Sequence, residues 1–101
     1  MFRYTVRCSF SGHEKESIAA RWVRWLQDEH IADVVDGGAE GADIVRMDGD
    51  GLCYEIRYRF SDRAAFDAYE RDHAPRLREL GLNEFPLDLG LSYERTTGDV
   101  V

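Results

Sequence analysis

Two histidines carry the clearest potential for chemistry in this sequence of 101 residues. His30 closes an apolar series spaced by four, Ile18-Trp22-Leu26-His30, and His73 closes a second, Ala65-Phe66-Tyr69-His73. Both spacings are helical, so each histidine is expected near a helix C-terminus. There the carbonyl end of the helix favours a cation, and paired structural caps are the first expectation. The catalytic alternative makes either histidine a proton shuttle or an axial ligand for haem iron, with His73 the leading general acid or base. The doublets Glu29-His30 and Asp72-His73 are not dyads, because adjacent helical residues point about 100° apart. No nucleophile elbow, phosphate-binding glycine loop, dinucleotide fingerprint or zinc spacing accompanies the histidines, so no metal site is expected.

The elements that position them follow from periodicity. Leu52, Tyr54, Ile56, Tyr58 and Phe60 alternate with Cys53, Glu55, Arg57 and Arg59, the period of a half-buried strand. Phe2 to Phe10 alternates in the same way. Ser11 with Glu14 forms a capping-box pattern, which predicts a helix from there to about His30 and a further turn over Ile31 to Val35. Residues Glu40 to Met47 read as a weaker strand, turned into the next by Asp48-Gly49-Asp50-Gly51. Ser61 or Asp62 caps a second helix that breaks at His73-Ala74. Pro75 then suits the start of a short helix to Leu80, closed by Gly81. The last strand is expected over Leu87 to Glu94, with Thr96 to Val101 a disordered tail or an added edge strand.

The order is β-α-β-β-α-β, an α+β ferredoxin-like domain over residues 1–101. Its four-stranded antiparallel sheet carries both helices on one face. The halves echo each other, Asp28-Glu29-His30-Ile31-Ala32 against Arg71-Asp72-His73-Ala74-Pro75. The uncovered face should collect Arg3, Thr5, Arg7, Ser9, Cys53, Glu55, Arg57 and Arg59, with Asp88, Ser92 and Glu94 from the last strand. An ordinary solvated face is one reading. The sharper one is a polar cavity between two copies, with Arg7, Glu55, Arg57 and Arg59 binding a small, anionic ligand.

Composition narrows the partners. Thirteen basic against 20 acidic residues give a net charge of −7, which disfavours nucleic acid. The tyrosines also sit on the face expected under helices rather than on an open stacking platform. No apolar run is long enough for a membrane span or a leader, and Cys8 and Cys53 read as free thiols, so a cytoplasmic location is expected.

With the elements in place, the layout resembles the dimeric α+β barrel superfamily of ferredoxin-like proteins. Trp22-Val23-Arg24-Trp25-Leu26 with His30-Ile31, and Tyr69 with Ala74-Pro75-Arg76-Leu77-Arg78, resemble a bacterial family known only as a domain of unknown function. The resemblance spans Arg3 to Arg95. It implies a homodimer and a small-molecule ligand. The superfamily includes cofactor-free quinone-forming monooxygenases, haem-degrading enzymes, lactone isomerases, stress-response proteins and amino-acid sensor domains. No catalytic motif of those branches matches, so none of their residues carries over. A ligand-binding dimer is the first expectation, a cofactor-free or haem-dependent monooxygenase or isomerase the second.

Overall fold

The computed structural model describes residues 1–101. Strands β1 (Phe2–Phe10) and β3 (Leu52–Phe60) pair antiparallel along their full length at the centre of the sheet. β2 (Gly41–Arg46) flanks β3, and β4 (Leu91–Asp99) flanks β1, giving the order β2-β3-β1-β4. Between β1 and β2 run α1 (Lys15–Trp25), five residues of π-helix (Leu26–His30) and α2 (Ile31–Asp36). Between β3 and β4 run α3 (Arg63–Asp72), α4 (Ala74–Glu84) and a 3-10 turn (Leu87–Leu89). This is the ferredoxin-like α+β arrangement that the alternating strands and amphipathic helices predict. No helix is long and apolar enough to cross a membrane.

The sidedness follows the sequence pattern. Phe2, Tyr4, Val6, Cys8 and Phe10 are buried under the helices with Leu52, Ile56, Tyr58 and Phe60. They meet Ile18, Trp22 and Leu26 from the first helical run and Phe66, Tyr69 and Leu77 from the second. Burial of apolar area drives this contact. Aromatic rings fill it, with Phe66 against Phe2, Tyr4 and Phe60 at centroid distances of 5.1, 4.9 and 5.3 Å.

Three local expectations are corrected. The Ser11–Glu14 capping box does not form: Glu14 stands at the N-cap without a side-chain bond, and the Ser11 hydroxyl donates to the Gly90 carbonyl instead. By contrast Asp62 does cap α3, accepting from the Ala65 N–H at 2.8 Å. Gly81 does not stop α4, which continues to Glu84. Its missing side chain makes room for Trp25, whose ring edge lies 3.3 Å from where a Cβ would sit. The final strand starts at Leu91 rather than Leu87, because Leu87–Leu89 forms a 3-10 turn, which also takes Asp88 off the sheet face. The expected tail is mostly strand, pairing with β1 as far as Phe2 opposite Asp99.

Gly90 reverses the chain into β4 at φ +102°, where a Cβ would strike the Ser11 carbonyl oxygen. Left-handed backbone penalises any L side chain, and the clash adds to it. Gly90→Ala should therefore lower unfolding free energy by about 2 kcal/mol or more in urea titrations. An unchanged midpoint would show that the turn relaxes freely.

Candidate functional site

The open face of the sheet carries a paired charge array. Glu55 and Arg7 are direct cross-strand partners, and Arg57 lies two residues from Glu55 on the same face. Arg7 donates to one Glu55 oxygen from Nε at 3.0 Å and Nη2 at 2.7 Å. Arg57 Nε donates to the other oxygen at 3.0 Å. The hydrogen bonds from Arg7 lower the Glu55 pKa against the cost of burial, and those from Arg57 add to the effect. Arg59 is held by Asp43 at 3.0 Å. Three of the arginines expected to receive a ligand are thus occupied by carboxylates of the same chain.

The cavity lies on the other side of the sheet. A cleft of about 420 Å³ opens between β1, β3 and β4 below and the helices above. Its apolar wall includes Val6, Trp22, Leu26, Ile56, Leu77 and Leu82. Its polar wall includes four phenols, Tyr4, Tyr58, Tyr69 and Tyr93, beside His30, Arg78, Ser92 and Arg95. Tyr4 accepts from Arg78 Nη2 at 3.2 Å, and the same nitrogen donates to Glu70 at 2.6 Å. Tyr93 accepts from Trp22 Nε1 at 3.1 Å. Tyr58, 1 % exposed, and Tyr69 make no side-chain hydrogen bond, and no buried side-chain polar atom is sealed away unpaired. Their hydroxyls therefore keep access to the cleft. Burial raises the pKa of both phenols, so they remain donors at neutral pH.

His30 lines this cleft, and His73 does not. The π-helical segment places His30. The Ile31 N–H donates to the Leu26 carbonyl five residues back, and five residues also separate Trp25 from His30. Their rings stack at 4.5 Å and 20°. Burial, with a smaller push from Arg95, pulls the His30 pKa down to about 4 against an opposing pull from Asp33. His30 is therefore a neutral imidazole at pH 7, not the cationic cap expected. His73 joins α3 to α4 and packs where Gly37 has no side chain, its Cγ 3.1 Å from a would-be Cβ.

Cys8 is buried beside Tyr93, and burial pushes its thiol up to about 12, which leaves it unreactive. Cys53, opposite Ser9, sits on the open face away from the cleft, and both thiols are free.

A family model described as "Domain of unknown function (DUF4286)" matches residues 4–93. The chain belongs to the DUF4286 family. No curated protein matches the sequence. Among solved structures, a dimeric ferredoxin-like protein from an uncultured marine organism superposes with a TM-score of 0.74 at 10% identity, over 99% of this chain and 94% of that one. An antibiotic biosynthesis monooxygenase superposes with a TM-score of 0.61 at 18% identity, over 100% and 99%. A mutant of MhuD, crystallised with two manganese protoporphyrin IX bound per active site, gives 0.64 at 10%, over 100% and 95%. At these identities the likeness shows the fold of this DUF4286 chain and not an activity.

The sequence reading placed a ligand site on the open face and, of the residues lining the cleft, singled out His30 as a candidate but not Tyr4, Tyr58, Tyr93, Arg78 or Arg95. The available signal was the phenols themselves. Tyr4, Tyr58 and Tyr93 alternate onto faces that were expected to be covered, and a dry core has few partners for so many hydroxyls.

The depressed His30 pKa has a signed consequence. Above about pH 6.5 the imidazole is neutral in both folded and unfolded chains. Between there and about pH 4 the unfolded chain binds a proton that the folded one refuses, so stability falls as the pH falls and then levels off. Between pH 7.5 and 5, wild type should lose about 2 kcal/mol more than His30→Leu in urea unfolding. Equal losses would contradict a neutral, half-buried imidazole.

Proposed function

We propose that this chain is a cytoplasmic homodimer that binds a small, ring-bearing molecule in the cleft between helices and sheet. The observation that carries this reading is the cleft wall, which Tyr58 and Tyr69 line without a side-chain hydrogen-bond partner. Concave, largely apolar sites with a few convergent polar groups are the usual form of small-molecule pockets. Trp25, half-buried, supplies flat surface for a ring, and the phenols supply donors for its oxygen atoms.

The open sheet face is assigned to the second copy. Four strands present one polar side to solvent, with Arg3, Arg7, Arg57 and Arg59 set among Asp43, Glu55 and Glu94. A mixed, nearly balanced face of this kind can meet its own two-fold image with each charge near an opposite one. The solved neighbour described as dimeric has the same fold. Two free cysteines on opposite sheet faces suit a reducing compartment.

A second reading rests on His30. A neutral imidazole beside the cleft is suited to accept a proton from a bound ligand or to hold haem iron, which would supply redox chemistry when bound. This reading makes the protein a cofactor-free or haem-dependent oxygenase or isomerase, and it assigns His30 rather than His73. Haem titration separates its branches: a Soret shift lost in His30→Ala supports iron ligation, and no shift in wild type removes it.

The two faces are distinguished by thermal shift against a library of aromatic compounds. Leu82, 45 % exposed at the cleft mouth, is the site for a plug. Leu82→Trp should abolish ligand-induced shifts, and Arg7→Ala should leave them intact. The reverse pattern would return the site to the open face. Sedimentation at micromolar concentration should give a dimer, and Thr5→Glu, near the middle of the open face, should give a folded monomer. A wild-type monomer would remove the dimer from this proposal.

A further inference from the structure

The cleft contains one cation with no partner in the chain. Arg78, the other arginine on its wall, is occupied by Glu70 and Tyr4. His30 is neutral at pH 7. Arg95 lies opposite Val6 on β4, on the helix-facing side of the sheet, and makes no ion pair or side-chain hydrogen bond. Its guanidinium rests over the Tyr93 ring at 5.1 Å from the centroid. That contact seats the group on an aromatic face while leaving its N–H donors free. The residue is exposed to solvent where it lines the cleft, so its charge stands at the mouth rather than in the interior.

Resting on the cleft reading above, we propose that Arg95 selects the ligand's charge, so that the cleft takes a ring-bearing organic acid whose anionic oxygens meet Arg95 at the mouth. The chemistry of the wall is ordered for such a molecule. The ring system lies against Trp22, Leu26 and Ile56, a neutral oxygen accepts from Tyr58 or Tyr69, and the acid group reaches the guanidinium. A chain of net charge −7 repels organic anions at long range. An unpaired arginine at the cleft is then the local feature that reverses this preference. A surface arginine serving only solubility would need neither the aromatic seat nor the place on the cleft wall.

The test uses two probes of similar shape on the full chain: 8-anilinonaphthalene-1-sulfonate, an anion, and N-phenyl-1-naphthylamine, which lacks the sulfonate. Both tryptophans of the chain line the cleft, so a probe bound there quenches their emission. Wild type should bind the sulfonate about tenfold more tightly than the neutral probe. Arg95→Met keeps the aliphatic stem and should remove that preference while leaving neutral-probe affinity unchanged. Arg95→Lys should retain part of it. Sulfonate binding by Arg95→Met at wild-type strength, or a wild type that binds both probes equally, would overturn the proposal while leaving the cleft intact. Quenching by neither probe would overturn the cleft reading and this inference with it.

Discussion

A phenol placed beneath helices is best served by a hydrogen-bond partner or by contact with solvent, because stranding its hydroxyl cancels about 1–3 kcal/mol of what packing its ring gains. This constraint shapes the covered side of the sheet. Tyr4, Tyr58 and Tyr93 come from three adjacent strands and Tyr69 from α3 above them. Two of the four are satisfied, Tyr4 by Arg78 and Tyr93 by Trp22. The other two have no protein partner, and the space left beside them is the cleft. The cavity is the consequence of putting polar tips on residues otherwise suited to a core.

The helices keep that space open by specific devices. The π-helical segment offsets α2 from α1 and stacks His30 on Trp25. Trp25 in turn packs its far edge where Gly81 lacks a side chain, and against Phe85 at 5.6 Å. A tryptophan is thus wedged between the two helical runs at the edge of the cleft. Burial of His30 in this arrangement removes its charge and makes it an acceptor. The local departure from α-helix and the perturbed titration therefore share one cause.

The opposite face is governed by charge rather than burial. Glu55 is 9 % exposed even with that face uncovered, because two guanidinium groups lie against it. Hydrogen bonds to both carboxylate oxygens make this the most constrained polar group of the face. A rigid, internally compensated surface is better suited to meeting another surface than to capturing a free anion, which is why the two sides of the sheet are given different roles.

The sequence determined the strands, the order of elements and which side of the sheet is greasy, because alternation and helical spacing are local properties of the chain. It also narrowed the α3 cap to Ser61 or Asp62 and put Arg7, Glu55 and Arg57 on one face, though as ligand-binding groups and not as a closed ion-pair cluster. It misread Ser11–Glu14, Gly81 and Leu87 to Leu89, where contacts with Gly90, Trp25 and the turn into β4 overrode local preference. His30 and His73 are equivalent by sequence pattern, and only the packing of the helices sends one to the cleft and the other against Gly37. The cleft itself joins residues from both ends of the chain, from Tyr4 on the first strand to Arg95 on the last. An empty volume is a property of how packed layers fail to meet, and no periodicity along the chain encodes it.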